Sequence, residues 1–380
     1  MTTTVIGAPT PLTVGIIGGG FMARVHSAAA RAAGASVVGI ATSSAAGGQR
    51  AAAALGIPRA YTSPAELIAD DGIDVVHVCT PNSSHAAYAL AALEAGRHVV
   101  CEKPLAIGVD DAALLALRAA ETGAVATVPF VYRFHPMVRE ARARVARGDA
   151  GAVLTVRGDY LQDWLLTETD DDWRVDAGSG GPSRAFADIG SHLVDLLEFV
   201  SGDRIVRLMA TSRTVFSTRT RHSDIGTEDA VALIVETASG AIGSLLVSQV
   251  SPGRKNRLSI EIGGSVESIA FDQERPETLW LGRRTGSQLL QRDAHSLTPD
   301  AARLSVLPAG HPLGYHDAFT AFVADGHAAV AGGAPDGLPT FADGLRAVRI
   351  TAAVLEAAAS GGWVAVPAVD AAGVAEAVAL

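Results

Sequence analysis

The chain has 380 residues, of which 48% are apolar and 18% are charged. This composition excludes an intrinsically disordered chain, and the length is too great for one small binding module, so we expect two or three domains or one large one. The net charge of −10 disfavours nucleic-acid and anionic-membrane partners, because both bind basic surfaces.

The sequence pattern indicates neither a membrane segment nor a metal centre. The longest apolar runs, such as residues 124–130, fall far short of the roughly 18 residues that a membrane span needs, and residues 1–11 are too short and polar for a signal peptide. We therefore predict a cytoplasmic protein. The two cysteines, Cys79 and Cys101, are too few for a thiolate zinc cluster and are interpreted as buried free thiols, and no metal site is predicted.

The first third of the chain alternates short β-branched runs with Ala-rich helical stretches. The predicted strands are 12–17, 36–41, 75–79, 98–101 and 124–129, and the predicted helices are 21–33, 49–55, 85–95 and 110–122. Strands that alternate with helices indicate βαβ units and a parallel sheet. We predict a doubly wound α/β domain over residues 1–130.

The pattern changes past residue 150, where strand-like runs follow one another directly. The predicted strands are 153–160, 206–216, 229–236, 241–250, 258–262 and 266–271, the predicted helices are 136–147, 188–200, 316–331 and 342–360, and 283–314 is predicted as a long loop. We predict an α+β domain over residues 131–380 with a large, open, mostly antiparallel sheet. Its helix-free face is expected to pack on a partner subunit in a homodimer or homotetramer.

A glycine-rich turn follows the first predicted strand. Gly18, Gly20 and Ala23 fit the pattern G-x-G-x-x-A. The pattern supplies a tight turn, close backbone approach to a pyrophosphate and a small residue where the helix meets the strand. The free N–H groups of the helix that begins here would face the phosphates. We predict a dinucleotide-binding unit.

The end of the second predicted strand bears on the choice between NAD and NADP. An acidic residue here normally holds the ribose hydroxyl of NAD, but the chain has Thr42 and Ser43 instead. Hydroxyls with Arg50 nearby in sequence suit a 2′-phosphate better. The cofactor is predicted as NADP or NAD, with the pattern favouring NADP.

Two polar motifs follow the third and fourth strands, at 79–85 and 101–104. Ligands of open α/β sheets sit at the carboxyl ends of parallel strands, so both motifs are expected at the site. The second contains Lys103, which is one of only two lysines beside 28 arginines, the other being Lys255. Lysine, unlike arginine, can give up a proton. An ordinary surface lysine is the alternative.

In the second domain, Asp188 and His192 are four residues apart on a predicted helix and would share one face. The carboxylate is expected to orient the imidazole or raise its basicity, giving a general acid and base with a pKa near neutral pH. The alternative is a helix cap at Asp188 and a structural histidine. Asp195, one turn on, is interpreted as structural.

Together these motifs resemble the glucose-fructose oxidoreductase, inositol dehydrogenase and rhizopine catabolism (Gfo/Idh/MocA) family. The resemblance is carried by GIIGGGFMARVH, CEKP and DIGSHLVDLLEF, which agree in order, and it reaches the chain end. It implies a Rossmann-like N-terminal domain and hydride transfer between NAD(P) and a secondary alcohol or ketone of a sugar, cyclitol or glycoside. It also implies that Lys103, Asp188 and His192 are catalytic.

The resemblance extends the set of expected site residues. The expected cofactor-binding residues are Gly18, Gly20, Phe21, Met22, Thr42, Ser43, Thr80, Pro81, Asn82, His85, Glu102 and Lys103. Residues 160–164, Tyr132 and 253–256 are similar to family members that act on glycosides or anhydrosugars. This narrower resemblance implies a substrate pocket lined by Lys103, Tyr132, Gln162, Trp164, Arg174, Asp188 and His192.

Two other functions remain open on the same scaffold. One is a different reaction that uses tightly held NAD, such as glycoside hydrolysis through transient oxidation. The other is a regulatory protein that senses a dinucleotide without catalysis. The presence of Lys103, Asp188 and His192 favours alcohol oxidation, because a sensor needs no acid and base.

Overall fold

The computed structural model describes residues 11–368, and the chain forms two β-sheets in that range. The N-terminal stretch that we interpret as too short for a signal peptide lies almost wholly outside these residues. None of the described helices combines the length and apolar character needed to cross a bilayer.

The first sheet has six parallel strands in the order β3-β2-β1-β4-β5-β6. Its strands are β1 Thr13–Ile17, β2 Ser36–Ala41, β3 Arg59–Ala60, β4 Val75–Val78, β5 His98–Cys101 and β6 Ala126–Thr127. The predicted doubly wound parallel sheet is confirmed. Strand order reverses between β1 and β4, and ligands of such sheets bind in the crevice at that point.

Helices cover both faces of this sheet. They are α1 Phe21–Ala32, α2 Ala45–Leu55, α3 Pro64–Ala69, α4 His85–Glu94 and α5 Val109–Thr122. Strand β3 and helix α3 were not predicted, because each is too short to show a period. The sequence nonetheless contains the usual signals of a helix start at α3. Ser63 caps the helix by accepting a hydrogen bond from Glu66 N, and Pro64 occupies the first helical position.

The second sheet has nine strands in the order β14-β13-β12-β11-β7-β10-β9-β8-β15. Its strands are β7 Val153–Leu161, β8 Ile205–Arg213, β9 Ala230–Thr237, β10 Ile242–Ser248, β11 Arg257–Gly264, β12 Ser268–Asp272, β13 Thr278–Arg283, β14 Gly286–Gln291 and β15 Val364–Ala365. Only β7 and β10 pair in parallel, so the predicted mostly antiparallel sheet is confirmed.

The helices of the second half are α6 Pro136–Ala146, α7 Ala177–Gly180, α8 Ser191–Ser201, α9 Pro299–Arg303, α10 Tyr315–Val330 and α11 Phe341–Ser360. Every residue of α8 is buried, including the polar residues His192, Asp195 and Glu198. It lies on the sheet within the main core, and that core also holds residues of α6 and α11.

The predicted long loop at 283–314 is wrong. Strand β14 occupies Gly286–Gln291 and pairs antiparallel with β13, and α9 follows at Pro299–Arg303. Strand β14 is an edge strand whose residues are almost all exposed, so it lacks the alternation of apolar and polar residues that predicts a half-buried strand.

The two C-terminal helices join the two halves. Phe319 and Phe322 of α10 pack with residues of β1 and β2, and Leu345 and Val348 of α11 pack in the core between the first sheet and α5. The domain boundary at residue 130 stays a prediction. Cys79 and Cys101 are buried free thiols, as predicted.

Candidate active site

A cavity of about 310 Å³ lies where the two sheets meet, at the carboxyl ends of β1, β4 and β5. It is lined by side chains from both halves of the chain. The lining residues are Phe21, Met22, Cys79, Thr80, Asn82, His85, Glu102, Lys103, Pro129, Tyr132, Tyr160, Gln162, Trp173, Arg174, Asp188, Ile189, His192, Asn256 and Tyr315.

The β1–α1 turn has the geometry of a phosphate cradle. Gly18 has a φ of +121°, and a Cβ on it would lie 2.4 Å from the carbonyl oxygen of Cys79, so only glycine fits. Gly20 is the N-cap of α1, and a Cβ on it would meet nothing within 4 Å. No side chain caps α1 and no acid stands in its first turn, so its N–H groups are free for an anion. The turn therefore fits a dinucleotide pyrophosphate.

The end of β2 offers hydroxyls and a cation but no carboxylate. Thr42 Oγ1 donates to the carbonyl oxygen of Ser44 at 2.9 Å, and Ser44 Oγ accepts from Gly47 N at 3.2 Å as the cap of α2. Ser43 and Arg50 are exposed, and no side-chain hydrogen bond or ion pair involves either within residues 11–368. Thr42 is thus used locally, while Ser43 and Arg50 are available to a ligand.

His85 ties together the two loops that follow β4 and β5. Its Nδ1 lies 2.8 Å from the carbonyl oxygen of Pro104 and its Nε2 2.9 Å from that of Thr80. Burial lowers the pKa of His85, so the neutral ring donates to one of these oxygens at a time. Asn82 Nδ2 donates to the carbonyl oxygen of Gly180 at 2.8 Å and so joins this loop to the second half of the chain.

Glu102 is fixed from behind by two buried histidines. His26 Nε2 lies 2.9 Å from Glu102 Oε1, and His26 Nδ1 lies 2.9 Å from His77 Nδ1. The other oxygen of Glu102 accepts from the backbone N of Lys103 at 3.1 Å. Burial alone would raise the pKa of Glu102, but the bond from His26 leads the effects that bring it below its usual value. The carboxylate therefore anchors the backbone that presents Lys103.

Lys103 reaches across the cavity to Asp188. Its Nζ donates to Asp188 Oδ1 at 2.7 Å and to the Asp188 carbonyl oxygen at 3.0 Å, and Gln249 Nε2 donates to Asp188 Oδ2 at 2.8 Å. The Arg174 Nε lies 3.6 Å from Asp188 Oδ1. Burial opposes ionisation, yet the charges of Lys103 and Arg174 hold the pKa of Asp188 well below its usual value. Asp188 is a carboxylate.

The expected pairing of Asp188 with His192 is not found. Asp188 lies in a π-helical turn, Phe186–Gly190, ahead of α8, and both of its carboxylate oxygens are taken by Lys103 and Gln249. His192 Nδ1 is buried with no hydrogen-bond partner. Burial, and then the charge of Lys103, lowers the pKa of His192 to about 3. The expectation of a pKa near neutral pH is therefore wrong, and the ring is neutral.

A hydrogen-bonded set of neutral side chains forms the opposite wall. Tyr132 Oη lies 2.6 Å from Tyr160 Oη, Tyr160 Oη donates to Asn256 Oδ1 at 2.9 Å, and Asn256 Nδ2 donates back to Tyr132 Oη at 3.1 Å. Gln162 Nε2 donates to Asn256 Oδ1 at 2.8 Å. The ring of Tyr132 packs edge-on against His192, with centroids 5.1 Å apart. The wall therefore holds the imidazole in place and presents amide and hydroxyl groups.

Two family models match the chain. One, described as an oxidoreductase family with an NAD-binding Rossmann fold, covers residues 12–130, and a GFO/IDH/MocA C-terminal domain model covers residues 138–270. A levoglucosan dehydrogenase of Pseudarthrobacter phenanthrenivorans is 31% identical over 95% of this chain and 99% of its own length. The chain belongs to the Gfo/Idh/MocA oxidoreductase family. The resemblance seen in the sequence is confirmed, and the chain is an NAD(P)-dependent oxidoreductase.

Two further members differ in the cofactor they are named with. A solved structure of levoglucosan dehydrogenase in complex with NADH and levoglucosan matches with a TM-score of 0.87 and 29% identity, over 94% of this chain and 100% of that chain. A D-xylose 1-dehydrogenase (NADP(+)) of Haloferax volcanii is 34% identical over 49% of this chain and 54% of its own length. Both cofactors thus occur among relatives.

Most residues that the sequence singled out line the cavity of this Gfo/Idh/MocA chain, but Trp164 does not. Its Nε1 donates to Gln162 Oε1 at 2.7 Å, and its ring packs with Leu165, Val175 and Ile225. Trp173 lies at the cavity wall instead. The cofactor-site residues Gly18, Gly20, Thr42, Ser43 and Pro81 lie outside the cavity lining, in the β1–α1 turn and the loops after β2 and β4.

Sequence reasoning missed seven lining residues, of which three are Cys79, Pro129 and Ile189 and the other four are Tyr160, Trp173, Asn256 and Tyr315. Tyr160 and Asn256 lie inside the ranges 160–164 and 253–256 that the sequence singled out, but nothing in one sequence says which way a side chain points. Tyr160 on β7 and Asn256 before β11 meet because those strands pair, and that pairing is a tertiary feature. Within residues 11–368, no group of three or more His, Cys, Asp or Glu side chains could hold a metal ion.

Proposed function

We propose that this Gfo/Idh/MocA chain oxidises a ring hydroxyl of an uncharged sugar, anhydrosugar or cyclitol, and that Lys103, Asp188 and His192 act on that hydroxyl. The observation that carries the proposal is the Lys103–Asp188 ion pair, with Nζ 2.7 Å from Oδ1, in the cavity that His192 also lines. A buried ion pair beside a neutral imidazole handles protons without needing a metal.

Each of the three side chains has a distinct part. Lys103 Nζ donates two hydrogen bonds to Asp188, and its third N–H can donate to the substrate oxygen. His192 Nδ1 is buried without a partner, which leaves Nε2 as the nitrogen available to accept the hydroxyl proton. The nearby charges of Glu102 and Asp188 favour the protonated ring that results. The nicotinamide of the bound dinucleotide supplies the redox chemistry by accepting or giving the hydride.

Charge pairing in the cavity supports an uncharged substrate. Lys103 pairs with Asp188, and Arg174 NH1 pairs with Asp172 Oδ1 at 3.1 Å. Both cations that line the cavity therefore already have their charge balanced by a carboxylate, which disfavours a phosphate or a carboxylate group on the substrate. The neutral wall of Tyr132, Tyr160, Gln162 and Asn256 suits hydroxyl groups. Trp173 adds an aromatic ring to the lining, with the Arg174 guanidinium 4.5 Å from its centroid.

We propose that NADP(H) is preferred over NAD(H), although relatives of both kinds exist. The preference rests on the absent carboxylate after β2 and on the exposed Ser43 and Arg50. A guanidinium and a hydroxyl can bind a 2′-phosphate, whereas a carboxylate would repel it.

The proposed function is tested by following absorbance at 340 nm with NAD⁺ or NADP⁺ and two matched groups of compounds. Levoglucosan, D-xylose and myo-inositol form the uncharged group, and glucose 6-phosphate and glucuronate form the anionic group. We expect NADPH formation with at least one uncharged compound and none with the anionic compounds. Turnover confined to the anionic compounds, or no turnover with any panel member, would overturn the proposal.

A further inference from the structure

A buried cluster of four charges lies behind the cavity and is not part of the chemistry described above. It consists of Arg184, Arg219, Glu228 and Asp229, all buried, and we call it the charge cluster. Arg219 NH2 donates to Asp229 Oδ1 at 2.8 Å, and Arg184 NH2 donates to the same oxygen. The side chains of Arg184, Arg219 and Asp229 are 0% exposed.

Arg219 donates most of its hydrogen bonds to backbone carbonyl oxygens of segment 165–170. Its NH1 donates to the carbonyl oxygens of Thr167 at 2.7 Å and Asp170 at 2.8 Å, and its NH2 donates to that of Leu165 at 3.0 Å. One guanidinium thus holds three carbonyls of a segment that belongs to neither sheet. The segment 165–170 leads directly into the short helix Trp173–Val175.

That short helix carries two side chains of the cavity wall, Trp173 and Arg174. Arg174 lies 3.6 Å from the carboxylate of Asp188, so its position bears on the catalytic carboxylate as well as on the substrate space. Glu228 of the charge cluster holds the segment that leads directly into Asp188. Glu228 Oε1 accepts from Ser183 Oγ at 2.8 Å and from Phe186 N at 2.9 Å.

The energetics indicate why such a cluster would be kept. Removing four charges from water costs several kcal/mol per ion, so a buried ion network adds little net stability compared with apolar residues of the same size. The hydrogen bonds of the network nevertheless form in one backbone arrangement only, because a displaced carbonyl would leave a buried charge unpaired. A network of this kind selects a conformation more than it stabilises the fold.

We infer that Arg219 is a positioning residue for substrate binding, which holds segment 165–170 so that Trp173 and Arg174 face the substrate. The effect on substrate binding rests on the proposed function. The effect on the backbone does not, because it can be measured without substrate.

The test compares Arg219→Met with Arg221→Met. Arg221 lies in the same loop, and its NH2 donates to the carbonyl oxygen of Asp171 at 3.2 Å, but its side chain is 66% exposed, and surface contacts of that kind contribute little. For Arg219→Met we expect faster amide hydrogen exchange in peptides covering 165–175. We also expect the KM for levoglucosan, or for whichever panel compound turns over, to rise on the order of tenfold, with a smaller change in kcat. The thermal shift given by NADP⁺ should be unchanged, and Arg221→Met should match the wild type.

A second variant covers the case in which Arg219→Met does not fold. Arg219→Lys keeps a charge beside Asp229 but cannot donate to three carbonyls at once, so the same changes are expected in smaller degree. Unchanged exchange at 165–175, or a KM within twofold of wild type in the folded variants, would overturn the inference. If no panel compound turns over in the wild type, the proposed function fails and the exchange rates alone decide the role of Arg219.

Discussion

The protonation state of His192 differs most from what its sequence position indicates. Four-residue spacing from Asp188 predicted a carboxylate–imidazole pair, yet Asp188 binds Lys103 and Gln249. The spacing rule assumes a regular α-helix, and Phe186–Gly190 forms a π-helical turn that no sequence period reveals. The identities of the three residues were predictable from motifs, whereas their pairing required the fold.

Burial of a neutral His192 makes the free energy of unfolding depend on pH. Its folded pKa of about 3 lies below the value near 6.5 of an unfolded chain, so the unfolded state binds more protons between these values. This contribution is complete above about pH 6.5 and is lost as the pH falls towards 3. At pH 5 the loss is on the order of 2 kcal/mol.

We therefore expect the free energy of unfolding to fall less between pH 7 and pH 5 in His192→Asn than in the wild type, by on the order of 2 kcal/mol. Urea denaturation at the two pH values measures the difference. His295→Asn, at an exposed histidine, controls for loss of an imidazole and should follow the wild type. Equal falls in His192→Asn and wild type would show that the ring is not buried in its neutral form.

Among the structural elements, the β1–α1 turn contains two glycines with different roles, one in folding and one in cofactor binding. Gly18 is required by its backbone, with φ of +121° and the Cys79 carbonyl 2.4 Å from a Cβ, whereas Gly20 has ordinary dihedral angles and open space around it. The sequence motif does not distinguish these two glycines. In the structure, Gly18 is required for the fold, whereas a side chain at Gly20 would disturb nothing in the protein itself.

Gly20→Ala is accordingly expected to fold normally and to bind dinucleotide weakly, because its methyl group would enter the space that a pyrophosphate needs. Thermal unfolding without cofactor should match the wild type to within a few degrees, and the upward shift given by NADP⁺ should be largely lost. Gly18→Ala should instead lower the midpoint without cofactor. A full NADP⁺ shift in Gly20→Ala would contradict the assignment of this turn to the phosphates.

Elements were predictable where a period is long or a cap is clear. Strands β1, β2 and β4 to β12 and helices α1, α5, α6, α10 and α11 follow from periodicity, whereas strands β13 and β15 were not predicted. Strand β14 was not predicted because this exposed edge strand shows no alternation of apolar and polar residues. Strand β3 and helix α3 were not predicted because they are short. That Trp173 and not Trp164 lines the cavity could not be predicted, because the packing of Trp164 with Val175 and Ile225 is a tertiary contact.

At the scale of the whole molecule, the nine-stranded sheet leaves apolar side chains on its outer face. Ile234, Ile242 and Leu246 are between 44% and 59% exposed on the neighbouring strands β9 and β10, and the strand register places them on one face. An apolar face of this kind is typical of a subunit interface. We propose that the protein is a homodimer or homotetramer through this face.

Ile234→Asp tests that proposal, because a carboxylate at the centre of an apolar interface is left without water or a partner. We expect a lower molar mass than wild type in light scattering coupled to size exclusion. Ile107→Asp, at an exposed apolar residue away from this sheet, should keep the wild-type mass. A monomeric wild type, or an unchanged mass in Ile234→Asp, would contradict it.

We expect Lys103 to act on the substrate hydroxyl, and Lys255 provides a control because it is the only other lysine of the chain. Lys255 Nζ is bound to Asp163 at 2.7 Å on the surface, with its side chain 80% exposed. The decisive measurement is kcat for NADPH formation from the uncharged compound that turns over, in Lys103→Met and Lys255→Met. We predict a loss of about 10² or more in Lys103→Met, with the thermal shift by NADP⁺ retained, and wild-type kcat in Lys255→Met. Near-normal turnover by Lys103→Met would show that Lys103 does not act on the substrate hydroxyl.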